Sequence, residues 1–135
     1  MKNFLLFLFG LLIIATCTIN APASIVGSWE LVSYGSPSSQ TPAAPSVDTS
    51  VEFGSDGTLA GNVGCNSFGG DYKVDGDKIV FGQITSTLMF CEGPVGEQEA
   101  TTLAVFTESA TFVVEGDSLT ITSADGDSVI VLARK

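Results

Sequence analysis

Four times the chain sets an acid–glycine pair directly ahead of an alternating apolar run: "SDGTLAG" (residues 55–61), "VDGDKIVF" (74–81), "VEGDSLTI" (114–121) and "ADGDSVIV" (124–131). Asp-Gly and Glu-Gly supply the positive φ angles that tight hairpin turns require, and a period-two run turns one side of a strand inward. The last two pairs lie ten residues apart, the spacing of short antiparallel strands. This punctuation restricts the chain to a succession of hairpins. Upstream, "SIVGSWELVSY" (24–34) mixes β-branched and aromatic residues and opens the sheet. The acids are not read as calcium ligands. No copy has an Asp-x-Asp-x-Asp-Gly loop followed by a distal glutamate.

One segment breaks the rhythm. In "GPVGEQEATTLAVFTES" (93–109), Pro94 suits a first helical position, and Glu97 and Glu99 sit early, where the helix dipole favours negative charge. Ala100, Leu103, Ala104 and Phe106 or Thr107 recur at helical spacing and are the expected buried face. "GSPSSQTPAAPSVDT" (35–49) has no apolar period and is expected to be a long exposed loop. The 135 residues leave room for a single domain, assigned to residues 24–135. The expected fold is mainly β: a compact, barrel-like antiparallel sheet of hairpins around, or capped by, one α-helix.

The N-terminus reads as a targeting segment. Lys2 precedes "FLLFLFGLLIIA" (4–15), an uncharged apolar run too short for a membrane span of about 20 residues and suited to a signal-peptide core. Two exits are open. "APA" (21–23) fits cleavage before Ser24, which makes residues 1–23 the signal peptide. "IATC" (14–17) resembles a bacterial lipobox, in which the lipoprotein signal ends before Cys17 and Cys17 is lipidated; Thr16 departs from the usual small residue there. Either route implies export, to the cell envelope as a lipoprotein or as a secreted protein.

Export changes the meaning of the cysteines. Either exit removes Cys17 from the thiol count and leaves Cys65 and Cys91, an even number in an oxidising compartment. Without Cys-x-x-Cys spacing, histidine or flanking Lys or Arg, they read as a structural pair, bonded or packed together. A bond would close a loop of about 27 residues, worth about 3.5 kcal/mol in the chain-entropy model. By period-two counting, Leu59, Val63 and Cys65 share one strand face, and Thr85, Thr87, Met89 and Cys91 another, so both sulfurs are expected to point into one interior.

The charge balance narrows function. With 15 acidic against 5 basic residues, a formal net charge of -10 disfavours nucleic acid and anionic lipid. The absence of histidine removes Ser-His-Asp and Cys-His catalysis and histidine-ligated zinc. The glycines of "AGNVGCNSFGGDY" (60–72) raise the question of a phosphate cradle, but "GGDY" puts an acid where a Walker loop needs its lysine. Gly61 and Gly64 within a strand, and Gly69 and Gly70 at its end, instead mark bulges, bends or close backbone approach. Asn66 suits a left-handed or turn position where its side chain bonds nearby backbone. The stretch is read as architecture.

These residues carry a resemblance. Trp29 to Leu31, the run over residues 53–82, "TSTLMFC" (85–91), a Glu-bearing helix and "GDSLTI" together resemble the META domain, the small domain shared by HslJ-type heat-inducible bacterial envelope proteins and a trypanosomatid virulence-associated protein. Gly64, Cys65, Asn66, Phe68, Gly70 and Tyr72 match its first motif; Thr87, Met89 and Cys91 match its second, with Phe90 where a small residue is common. The resemblance implies an antiparallel β-barrel-like fold with one helix. It further implies an exported, often lipid-anchored protein linked to stress response, with no established reaction.

The functional expectation is a non-enzymatic envelope or extracellular module that binds an unidentified protein partner. No cofactor, metal or nucleic acid is expected, membrane contact comes only through a lipid on Cys17, and the chain is expected to be a monomer. The alternative is a carrier of a small apolar ligand inside the barrel, lined by Trp29, Phe53, Phe68, Tyr72, Phe81 and Phe112, which otherwise simply fill the core. An enzyme with paired carboxylates is the weakest reading, because the acids fall mostly in turns. Two candidate surfaces are the 35–49 segment and the turn acids Asp56, Asp75, Asp77, Glu115, Asp117, Asp125 and Asp127.

Overall fold

A computed structural model describes residues 23–135. The signal segment and the proposed lipidation site Cys17 lie outside the described residues. Among the described residues, ten strands and one helix follow in the order β1 (Gly27–Ser36), β2 (Ser39–Pro42), β3 (Ser50–Phe53), β4 (Thr58–Asn62), β5 (Ser67–Asp75), β6 (Lys78–Phe81), β7 (Thr85–Ser86), α1 (Gly93–Val105), β8 (Ser109–Glu115), β9 (Ser118–Thr122) and β10 (Val129–Arg134). Every pairing is antiparallel. The path β10-β9-β8-β6-β5-β4-β3-β1 closes through β1 on β10, giving an eight-stranded barrel with β2 and β7 as appended strands. Closure leaves the barrel strands no free edge to recruit another chain. No helix among the described residues is long and apolar enough to cross a membrane.

All four acid–glycine pairs are hairpin corners. Gly57, Gly76, Gly116 and Gly126 take φ of 85°, 62°, 60° and 80°, joining β3 to β4, β5 to β6, β8 to β9 and β9 to β10. Following the antiparallel pairings, the first three turns, with Asp56, Asp75, Asp77, Glu115 and Asp117, lie at one end of the barrel. Asp125 and Asp127 lie at the other, with α1 and the β4–β5 connection. The turn acids therefore divide between the ends and make no single face.

Alternation fills the interior. Trp29, Leu31, Val51, Phe53, Leu59, Phe68, Ile79, Phe81, Leu119, Ile121, Ile130 and Leu132 are all buried. A register shift between Leu31 and Ser33 resets the phase of β1, so Tyr34 rather than Ser33 turns inward. The Leu31 amide is taken there by the Thr49 hydroxyl at 2.8 Å. At the turn end, the Phe53 and Tyr72 rings meet edge to face at 5.0 Å. At the helix end, Phe106 enters the barrel mouth, its ring centroid 5.5 Å from Phe68 and 5.3 Å from Phe81. Trp29, Phe53, Phe68 and Phe81 thus pack as core, with Tyr72 and Phe112 half-buried beside them.

Two expectations are corrected here. The 35–49 segment is not wholly loop: β1 continues to Ser36 and pairs with β2 in a hairpin, Ser33 opposite Pro42 and Ser36 opposite Ser39. β2 is exposed throughout and Pro42 ends it, the position where a missing N–H costs nothing on an edge strand. Only residues 43–49 are irregular, and Ala43 packs on the core while Thr49 is buried. The helix occupies the expected place but not with the expected face. Ala100, Ala104 and Thr107 are exposed, Leu103 is half-buried and only Phe106 is buried, just past the helix; α1 itself turns Gln98, Glu99, Thr102 and Val105 inward.

Two phenols give the fold an alkaline limit. Burial, followed by the negative charge of Glu97, holds Tyr34 above its ordinary pKa of 10.0, and burial, followed by Asp56, does the same for Tyr72, whose hydroxyl donates to the Gly54 carbonyl at 2.7 Å. A raised folded pKa contributes stability that is complete below the unfolded value and is lost as pH rises through the folded one. Urea midpoints should therefore hold steady to about pH 10 and fall above it. The Tyr34→Phe/Tyr72→Phe variant should show a shallower fall, and an equal fall would remove the phenols as its cause.

Candidate functional site

The sequence-predicted motif residues converge at the helix end. After β4, the Asn62 side chain accepts the Gly64 amide at 3.0 Å and turns the chain. Gly64 is buried under α1: a Cβ there would stand 2.6 Å from the Glu99 Cβ and 2.9 Å from its Oε1. That close approach brings the Glu99 carboxylate over the β4–β5 connection. Oε1 accepts the Asn66 amide at 2.6 Å, and Oε2 accepts Asn66 Nδ2 at 2.7 Å. Glu99 is 9 % exposed, so its oxygens are satisfied by directed donors rather than by water.

Asn66 is the joint between two segments. Its Oδ1 accepts the Thr87 hydroxyl and the Met89 amide, both at 2.8 Å, while Nδ2 donates to the Met89 carbonyl at 3.0 Å as well as to Glu99. Two acceptances and two donations use the full capacity of the side-chain amide and fix its orientation. The Met89 backbone, donating and accepting on one side chain, is held as a strand neighbour would hold it. One residue before Asn66, Cys65 bonds to Cys91, with Cα atoms 5.9 Å apart and a sequence separation of 26. Glu99 Oε2 lies 3.2 Å from Cys91 Sγ. Disulfide, amide and carboxylate together fasten residues 87–92 to the barrel end.

The geometry departs from period-two counting. β7 covers only Thr85 and Ser86, so Thr85, Thr87 and Met89 lie exposed and not on an inward strand face, because Asn66 rather than a neighbouring strand takes the Met89 backbone. Both cysteines are half-buried at the barrel rim, not in its interior. Asn66 is not left-handed; Glu108 is the one non-glycine residue with positive φ among those described. Apart from the adjacent Cys65 sulfur, the partners of the Asn66 side chain are 21 to 33 residues away rather than nearby. Gly69 and Gly70 lie inside β5, not at a strand end, and a Cβ on Gly70 would stand 2.7 Å from the Gln83 carbonyl oxygen.

Residues 23–135 match the family model of the META domain. The chain belongs to the META-domain family. Its META fold is shared with solved structures: an NMR structure of a protein from Burkholderia xenovorans (TM-score 0.66, 20% identity, 81% of each chain covered). A second NMR structure aligns with TM-score 0.61 and 18% identity over 79% of this chain and 87% of the other. A crystal structure of a DUF4847 family protein from Bacteroides vulgatus aligns with TM-score 0.56 and 13% identity, covering 81% and 92%. No curated protein matches the sequence.

Within this META domain, Gly64, Cys65, Asn66, Phe68, Thr87, Met89 and Cys91 gather around one end of the barrel. Tyr72 stands apart, bonded to Gly54 near the opposite turns. Sequence reasoning missed Gln98 as a structural residue and read Glu99 only as a helix-dipole partner. Gln98 is fully buried; its Nε2 donates to the Val63 carbonyl and its Oε1 accepts the Ala44 amide, both at 2.7 Å, tying the 43–49 segment to the β4–β5 connection. Gln98, Thr102 and Val105 do recur at i, i+4 and i+7, the signal that was present. Replacing Gly64 by alanine should displace Glu99 and cost about 2–3 kcal/mol by overpacking. Denaturant midpoints measure this, and a change under about 0.5 kcal/mol, ordinary for a tolerant surface site, would contradict the Gly64–Glu99 contact.

Proposed function

We propose that this protein is an exported, non-enzymatic binding module of the cell envelope or extracellular space, in keeping with the stress-linked role that the family resemblance implies, and that residues 87–92 dock a protein partner. One observation carries the reading. Leu88 and Phe90 are 94 % and 87 % exposed, and Met89 60 %, while the backbone between them is tied by Asn66 and the disulfide. Three consecutive large apolar side chains held in solvent on a rigid scaffold suit insertion into an apolar pocket, with little ordering left to lose on binding. Export is supported by the apolar N-terminal run and by the Cys65–Cys91 bond, which persists in oxidising compartments. The close packing of Trp29, Phe53, Phe68 and Phe81 weighs against the ligand-carrier alternative.

The test compares wild-type protein with Leu88→Ser/Phe90→Ser in capture from envelope extract. A specific partner should be retained by the wild type and lost by the variant, with melting temperatures unchanged because neither side chain is buried. An identical set of captured proteins would reject residues 87–92 as the docking segment. Intact mass of the mature protein distinguishes a start at Ser24 from a lipidated Cys17.

A further inference from the structure

Under the exposed tip, the groups that fasten residues 87–92 also bring together the donor set of a metal site. The Cys65 and Cys91 sulfurs and a Glu99 carboxylate oxygen all lie within 4.8 Å of one another, with Glu99 buried and both cysteines half-buried. Glu99 Oε2 is 3.2 Å from Cys91 Sγ, and the Met89 carbonyl oxygen is 3.9 Å from Cys65 Sγ and 3.8 Å from Cys91 Sγ. The two sulfurs are bonded to each other in this structure; once reduced, cysteines whose Cα atoms stand 5.9 Å apart can open to the S···S edge of about 3.8 Å that a tetrahedral zinc with Zn–S of about 2.3 Å needs, with the Glu99 oxygen beside them. A soft thiolate pair with one carboxylate suits zinc over calcium or magnesium, which take oxygen ligands. Glu99 is already oriented by Asn66, the kind of outer support that metal-binding carboxylates have.

We propose that the cluster is a zinc site in the reduced protein: Cys65, Cys91 and Glu99 bind one Zn²⁺, and a water or the Met89 carbonyl completes the tetrahedron. The disulfide is the closed form of the site. A dithiol reductant passes two electrons and two protons to the Cys65–Cys91 bond, breaking it to two thiols while the reductant becomes its own disulfide. Zn²⁺ then binds both thiolates and the two thiol protons leave to solvent, so opening the site to zinc is coupled to the reductant available and to pH. Bound zinc replaces the lost S–S bond as the tie between residues 65 and 91. The proposal is independent of what Leu88 and Phe90 dock.

The experiment uses the whole domain, reduced with a phosphine under nitrogen and freed of excess reductant, then titrated with Zn²⁺ alone. Native mass spectrometry should show one zinc per reduced chain and none per oxidised chain, with two protons released per zinc. Cobalt should give a thiolate-to-metal charge-transfer band with tetrahedral d–d absorption. Cys65→Ser and Cys91→Ser should each abolish the band. Glu99→Gln should weaken binding more than about tenfold, since even an outer partner of a zinc ligand is worth that much. The wild-type cobalt spectrum and proton count keep the test decisive if Glu99→Gln fails to fold. The proposal is overturned if reduced wild-type protein takes up no zinc, if Glu99→Gln binds as tightly as wild type, or if near-ultraviolet circular dichroism shows that the reduced protein binds only after losing its fold.

Discussion

Trp29→Ala is expected to remove about 4 kcal/mol of folding stability, since truncating a buried aromatic side chain costs about 3–5 kcal/mol. Trp29 is fully buried in β1, the strand that closes the barrel by pairing with both β10 and β3. Its indole Nε1 donates to the Ile25 carbonyl at 2.8 Å, which fixes the chain entering the barrel. The Arg134 guanidinium lies 4.2 Å from the ring centroid and donates to the Val26 and Ser24 carbonyls at 3.2 Å, so the ring also seats the end of β10. Trp29→Phe keeps most of the apolar volume but loses the indole donor, and should cost about 1–2 kcal/mol. Urea unfolding followed by far-ultraviolet circular dichroism measures both, since Trp29 is the only tryptophan and the alanine variant has no indole fluorescence. A loss below about 1.5 kcal/mol for Trp29→Ala would mean the barrel does not close around this residue.

Removing the disulfide is expected to cost nearly as much. The Cys65–Cys91 bond spans a separation of 26 residues. In the chain-entropy model its loss releases about 3.5 kcal/mol of unfolded-state freedom. The Cys65→Ser/Cys91→Ser variant should therefore unfold at a clearly lower urea concentration, with a slope no shallower than that of the wild type, because the denatured chain without the cross-link is less compact and exposes more surface. Within the folded variant, residues 88–92 should loosen first, because they are tied through Asn66 and the disulfide, whereas Gly82 and Thr87 also have backbone bonds to Asp71 and Ser67 and the hairpins have their own ladders. A variant as stable as the wild type would make the bond incidental to the fold.

The turns and the pairing of the two cysteines are legible in the sequence, whereas the other long-range contacts of this chain are not. Asp56-Gly57, Asp75-Gly76, Glu115-Gly116 and Asp125-Gly126 each specify a turn within four residues, and all four are turns. Gly64, Cys65 and Asn66 were legible as one motif, and so was the pairing of Cys65 with Cys91. The face of α1 was not. A hydrophobic count favours Ala100 and Ala104, but the barrel end presents the Val63 carbonyl and the Ala44 and Asn66 amides, and only polar side chains satisfy those groups. Gln98 and Glu99 therefore turn inward against their usual preference. β2 was hidden for a related reason: Ser39, Gln40 and Pro42 give no alternating apolar pattern, Thr41 alone favours a strand, and the pairing is supplied by β1. The exposed position of Met89 follows from Asn66, 23 residues away, a partner that period-two counting does not consider.

The central claim is that Asn66, Glu99 and the disulfide hold residues 87–92 rigid while displaying apolar side chains to solvent. Amide hydrogen exchange at Met89 tests it most directly, because this N–H donates to Asn66 Oδ1 on an otherwise exposed residue. The Met89 amide should be strongly protected in oxidised wild-type protein, and Asn66→Ala should return it to near the unstructured rate while the β9 and β10 amides stay protected. Free exchange at Met89 in the oxidised wild type would contradict the account.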